Sequence, residues 1–160
     1  MRLAFWTVLL TFALDQALKW YVVVGLNLRE RFVIEVLPPW VHFTMAWNRG
    51  VNFGLFASDA EVMRWVLVAL ALAISAGVWI WIRREGARPA MQLSAGLLIG
   101  GALGNVVDRI VWGAVADFLN VTCCGIRNPY AFNIADVAIF AGAIGLLLFS
   151  GSGTDGKKAP

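Results

Sequence analysis

Apolar residues run in long uninterrupted stretches along this chain. Trp65 to Ile82, Pro89 to Val107 and Val137 to Thr154 carry no charge, and Leu3 to Leu26 is apolar except around Asp15 and Lys19. A helix needs about 20 mostly apolar residues to cross a hydrocarbon core about 30 Å thick. The pattern therefore predicts four spans, at about 3–25, 62–82, 90–112 and 134–151, within one domain covering 1–160. The first run is read as an uncleaved span. Asp15, Gln16 and Lys19 interrupt the place where a small-x-small cleavage site should follow. Between the first two spans the period changes. Phe32, Ile34 and Val36, then Val41, Phe43, Met45 and Trp47, alternate around a break at Pro38-Pro39. This predicts two short strands joined by a turn outside the membrane. Residues 51–58, VNFGLFAS, are short and amphipathic, as an interfacial segment would be. The expected fold class is all-α, four transmembrane helices with a small β-rich cradle between helices one and two.

Composition agrees: 60% of residues are hydrophobic and 14% charged, against about 25% charged in soluble domains. The net charge of +3 matters less than where it falls. Arg83, Arg84 and Arg88 lie between spans two and three, Lys157 and Lys158 in the tail, and Arg2 at the start. With four spans these places share one side, so both termini are predicted to be cytoplasmic. Segments 27–61 and 113–133 then lie outside, where Arg29, Arg31 and Arg49 are balanced by Glu30, Glu35, Asp59 and Glu61. Trp20, Tyr21, Trp65 and Trp112 fall at outer boundaries and Trp6, Trp79 and Trp81 at inner ones, as aromatic belts do. Basic residues between apolar runs give no nucleic-acid face. Adjacent Cys123-Cys124 with a single His42 offer no zinc site. The cysteines read as small apolar loop residues, with an adjacent-pair disulfide as the other option. His42 reads as an exposed strand residue, since no nucleophile accompanies it.

Charges inside a span are costly and usually mark function. At about 1.5 Å per residue, Asp15 lies about 18 Å above the inner edge of its span, with Lys19 one turn further out. Asn105 and Asp108 lie about 22 and 27 Å from the inner edge of theirs. Asp136 falls in the first turn of span four. Every buried polar group is thus expected in the outer half, and none in the inner. An ion path would need polar groups through the full thickness; a reaction chamber open to one side would not. Gly96, Gly100 and Gly104 form a GxxxGxxxG stripe, read as close helix packing. Asp117 stands beyond the apolar core, and Gly113 permits the bend that would return it to the bundle. Antiparallel spans three and four then allow Asp117 and Asp136 to meet.

Two carboxyls that close cannot both ionise, so they share a proton. The ionised member takes a proton from water and the other hydrogen-bonds a scissile carbonyl, giving a tetrahedral diol without a covalent enzyme intermediate. The bland alternatives are a turn residue at Asp117 and a helix N-cap or first-turn carboxylate at Asp136. Other catalytic sets are missing: the sequence has no HExxH, and His42 alone cannot complete a triad.

Five segments, DQALKW (15–20), NRGVNFG (48–54), GGALGNVVDR (100–109), VADF (115–118) and FNIADV (132–137), occur in the order and spacing of one family. With the four spans they cover nearly the whole chain, which resembles lipoprotein signal peptidase, or signal peptidase II. The resemblance implies an aspartic endopeptidase of the bacterial inner membrane. It would remove the signal peptide of prolipoproteins just before a diacylglyceryl-modified cysteine, with its site near the periplasmic face. By motif, Asp117 and Asp136 match the catalytic pair. Asn48, Gly50, Asn105, Arg109 and Asn133 match residues that hold the peptide or shape the pocket. Asp15, Lys19 and Asp108 match supporting positions, and Arg109 beside Asp108 is expected to complete a charge network. The implied partners are the lipid-modified prolipoprotein, membrane lipid and the antibiotic globomycin, with no cofactor, no metal and a monomeric enzyme. Asn52 departs from the small residue frequent in the family. The competing classes are a small transporter or a scaffold subunit whose buried acids are structural.

Overall fold

The computed structural model describes residues 1–50, 60–123 and 128–150. Helix α1 (Arg2–Lys19) continues into a π-helical segment, Trp20–Gly25. A short α2 (Leu28–Arg31) leads to strands β1 (Val33–Leu37) and β2 (Val41–Asn48), which flank a cis Pro38-Pro39 peptide. Then follow α3 (Ala60–Arg84), α4 (Pro89–Trp112), β3 (Val115–Val121) and α5 (Ile134–Ser150). Three helical stretches, Arg2–Gly25, Glu61–Arg84 and Pro89–Trp112, are long and apolar enough to cross a membrane. Helix α5, with 17 described residues, is shorter. Large apolar side chains face outward on these helices, Leu10, Phe140 and Leu147 among them. In water such a surface would aggregate; in lipid it is solvated.

Helix α4 is the centre of the bundle and packs on α1, α3 and α5. Glycine makes two of these seams. Gly96, Gly100 and Gly104 lie directly against Thr7, Thr11 and Asp15 of α1. A Cβ on Gly100 would stand 2.7 Å from the Thr11 Cβ. On another face Gly101 meets Ala135 and Ile139, while Gly142 and Gly145 of α5 meet Ser94 and Leu98. Both chain numbers rise together along the first seam and run oppositely along the second, so α1 and α4 are parallel and α5 is antiparallel to α4. Without a hydrophobic drive between helices in lipid, such close backbone approach supplies the packing energy.

The end of the bundle opposite the acids is not bare of buried polar groups, contrary to the expectation from the sequence. Thr7 and Ser94 are buried there. Their hydroxyls bond the carbonyls of Leu3 and Ala90 in their own helices, each at 2.9 Å. Short hydroxyls can turn back on the i−4 carbonyl, so they need no polar neighbour and form no path. Asp15, Lys19 and Asp108 lie toward the end of the bundle that carries the sheet and the acids.

The fold also departs from all-α. The sheet has three antiparallel strands in the order β1-β2-β3, and its third strand comes from the segment after α4. Val41 pairs with Val121 and Asn48 with Val115. Residues 115–121 show no strand period because Val115 to Phe118 are all buried. A strand covered on both faces loses the alternation that marks a half-buried one. Val22, Leu28 and Phe118, with Phe43, Met45 and Ile134, form the apolar cluster that seats the sheet on the outer helix ends. His42 is half-buried, in register with Glu35 and Asn120, rather than exposed. The 51–58 segment, Asn52, Cys124 and the tail lysines lie outside the described residues.

Candidate active site

Gly113 ends α4 with a left-handed φ of 79° and donates its N–H to the Arg109 carbonyl at 3.2 Å. A Cβ disfavours that conformation, so glycine sets the turn that sends the chain back as β3. Asp117 is therefore on a strand, in register with Ala46, and only 3% exposed.

Asp136 enters the same region from α5. Asn133 caps that helix: its Oδ1 accepts the Asp136 N–H at 2.9 Å, and Asp136 Oδ2 accepts the Asn133 N–H at 3.2 Å. This is a reciprocal capping box. The Asn133 amide does a second thing. Its Nδ2 donates to Asp117 Oδ1 at 2.7 Å. One asparagine thus bridges two acids that are 19 residues apart. The free oxygen of the capping carboxylate, Asp136 Oδ1, accepts from Asn105 Nδ2 at 3.0 Å. Capping and proximity to Asp117 coexist, so the bland reading of Asp136 does not displace the other.

Burial, then the charge of Asp136, pushes the Asp117 carboxyl up from 3.8 to about 6, against the opposing hydrogen bonds of Asn48 and Asn133. Asn48 is fixed in turn, its Oδ1 accepting the Gly50 N–H at 2.9 Å. Gly50 has φ 81° and lies directly under the Leu67 side chain, with Arg109 Nη2 at 4.0 Å from a Cβ placed there. A cleft of about 320 Å³, lined in part by Trp47, Asn48, Arg49 and Tyr130, opens beside Asp117.

Behind the two acids lies a buried ion cluster. Lys19 Nζ is 2.8 Å from Asp15 and 2.7 Å from Asp108, with all three side chains fully buried. It also donates to Asn105 Oδ1 at 3.2 Å. Each of its two carboxylates holds one backbone amide: Asp15 Oδ1 accepts from Ala135 at 2.9 Å, and Asp108 Oδ2 from Ala116 at 3.1 Å. Those alanines immediately precede Asp136 and Asp117. The cluster therefore fixes the backbone at both acids. Asp108 takes its ion pair from Lys19 and not from Arg109, because Arg109 is about 100° further round the helix. Arg109 Nη1 donates to the Asn105 carbonyl at 3.1 Å, and its charge acts on Asp108, Asp136 and Asp117.

Sequence reasoning missed Gln16, whose Nε2 reaches Asp15 at 3.1 Å, Asp108 at 3.0 Å and the Gly104 carbonyl at 3.3 Å. An amide within an apolar span was the available signal. All ten residues singled out from the sequence converge on this one end of the bundle.

Fold and site together define a multi-pass membrane protein with paired carboxyls at one mouth of its helix bundle. A family model described as signal peptidase (SPase) II matches residues 7–151, and the chain belongs to that family of peptidases. Proteins named lipoprotein signal peptidase are similar to it. The one from Methylorubrum extorquens is 44% identical over 89% of this chain and 81% of its own length. The one from Methylobacterium radiotolerans is 44% identical over 93% and 85%, and that from Rhodopseudomonas palustris 37% over 99% and 98%. Two solved structures described as bacterial membrane enzymes share the fold. One, at 2.3 Å resolution, has a TM-score of 0.74 and 25% identity, covering 98% of this chain and 94% of that one. The other, at 1.9 Å, has a TM-score of 0.77 at 24% identity, covering 94% of each.

Proposed function

We propose that this chain is an aspartic endopeptidase that removes the signal peptide from diacylglyceryl-modified prolipoproteins, using Asp117 and Asp136 to activate water. The observation that carries the reading is the Asn133 bridge, which holds two remote acids together where the bundle meets its sheet. Asp117, whose carboxyl is held up to about 6, carries the shared proton. Asn105 Nδ2 and the Asn133 N–H hold the two oxygens of Asp136 in place. Asp136 then takes a proton from water as the water attacks the scissile carbonyl. Asp117 donates toward the carbonyl oxygen. The resulting diol collapses with cleavage of the C–N bond, and the proton passes to the departing amine of the lipidated cysteine. Buried carboxyl pairs split their titration in this way.

The four apolar helices, α5 included, fit a four-span topology. Arg83, Arg84 and Arg88 lie at the end of the bundle opposite the acids, so positive-inside orientation sets both termini in the cytoplasm and the site at the periplasmic face of the inner membrane. A scissile bond beside a lipid anchor reaches that level. Globomycin, by family resemblance, would compete for the same cleft.

The test uses purified full-length protein and a prolipoprotein with and without its diacylglyceryl group. Cleavage of the lipidated form just before the cysteine, mapped by mass spectrometry, is the expected result. Equal cleavage of both forms, or cleavage elsewhere, refutes the assigned substrate.

A further inference from the structure

A second and larger cleft, about 700 Å³, is lined by Arg29, Arg49, Arg64, Glu61, Trp47 and Trp112, with nearby backbone. Neither candidate acid lines it. Among the described lining residues, three guanidiniums stand against one carboxylate, an excess of two positive charges. The ion pair among them is weak: Arg64 Nη2 to Glu61 is 3.2 Å, and the Glu61 side chain is 80% exposed. Arg64 is further constrained, with its guanidinium 5.0 Å from the Trp65 ring centroid. Its Nε is buried without a hydrogen-bond partner among the described residues. A buried orphan donor on a cation is costly, so the Arg64 charge is incompletely satisfied by the protein.

Depth decides which anion. Trp112 lies between Trp20 and Trp47, with ring centroids 5.8 Å away on each side, tilted against the first ring and edge-on to the second. Trp65 and Trp112 stand at the ends of two membrane-length helices. Tryptophans so clustered mark the headgroup level of a bilayer. Arginine is suited to phosphate because its fork of donors matches the oxygens, and it stacks on aromatic faces. Basic pockets at helix ends bind lipid head groups for the same reason.

We infer that this cleft binds the phosphate of an anionic phospholipid headgroup, held by Arg64, Arg29 and Arg49 beside the tryptophan belt. The bound lipid would fill the space between the ends of α3 and α4 and the C-terminal end of β2, and so brace the sheet against the bilayer. Trp47 and Arg49 also line the cleft beside Asp117, but neither acid lines this one, and phosphate binding here does not depend on their chemistry.

Native mass spectrometry of the full chain in detergent tests this with phosphatidylglycerol, phosphatidylcholine and inorganic phosphate as probes. The wild type should bind phosphatidylglycerol about tenfold more tightly than phosphatidylcholine, the worth of one charge-assisted hydrogen bond. The Arg29→Gln/Arg64→Gln variant should lose that preference while still cleaving substrate. Equal binding of the two lipids by the wild type overturns the inference without recourse to any variant. So does a preference that survives in the variant. Protection from thermal unfolding by millimolar inorganic phosphate equal to that by phosphatidylglycerol would assign a free-anion site instead. Displacement of the lipid by a soluble acidic peptide of the mature substrate, at equal concentration, would assign a peptide site.

Discussion

Lys19→Met removes the one cation of the buried cluster and keeps most of its volume. In the native protein the Lys19 ammonium sits within 2.8 Å of two carboxylates, and no water reaches any of the three side chains. Deleting one partner of a buried pair leaves an uncompensated charge and costs about 3–5 kcal/mol. Here two acids would be left facing each other. At about 2–4 °C per kcal/mol for a chain of this size, Tm should fall by roughly 6–20 °C. The effect should not stop at stability. Asp15 and Asp108 hold the amides of Ala135 and Ala116, one residue before each candidate acid. If the acids separate even slightly, misplacement on the order of 1 Å costs about a hundredfold in rate. The assay is a thermal melt followed by intrinsic tryptophan fluorescence, paired with cleavage measured well below the variant's own Tm. A variant that melts within about 2 °C of wild type and cleaves within about twofold of it would refute both the energetic reading and the positioning role.

Three further outcomes follow from the same geometry. Asp117 keeps a proton in the folded state that the unfolded chain has lost, so its contribution to stability is complete below pH 3.8 and disappears as pH rises through about 6. Tm against pH should therefore decline less steeply across that window in Asp117→Asn than in wild type, and the alkaline limb of kcat/KM should report an apparent pKa near 6 belonging to the pair. Gly104→Ala drives a methyl into the Asp15 carboxylate, whereas Gly77 has open space around it. The first should lose about 1–3 kcal/mol and the second should gain about 0.4–1 kcal/mol, compared by melts in one detergent. Asn133→Ala removes an N-cap worth about 1 kcal/mol together with the amide between the acids, so its loss of cleavage rate should far exceed what its modest drop in Tm explains.

The helices were legible because lipid demands long apolar runs and tolerates no other spanning backbone. The glycine stripe was legible as a seam, though only the coordinates say that Thr7, Thr11 and Asp15 fill it. Strand β3 was hidden by burial on both faces, which erased the period that revealed β1 and β2. At the site, side chains announced themselves as polar letters in apolar context. Their connections did not. The amides of Ala116 and Ala135 belong to residues with no chemistry of their own, and only the fold shows that they tie the ion cluster to both acids.

A proton shared between Asp117 and Asp136 is seen most directly in the infrared difference spectrum of wild type minus Asp117→Asn, recorded on folded protein at pH 5 and pH 8. A protonated-carboxyl stretch should be present at pH 5, absent from the variant, and should fade as pH rises past about 6. No such band at pH 5, with only ionised carboxylate in its place, would contradict it.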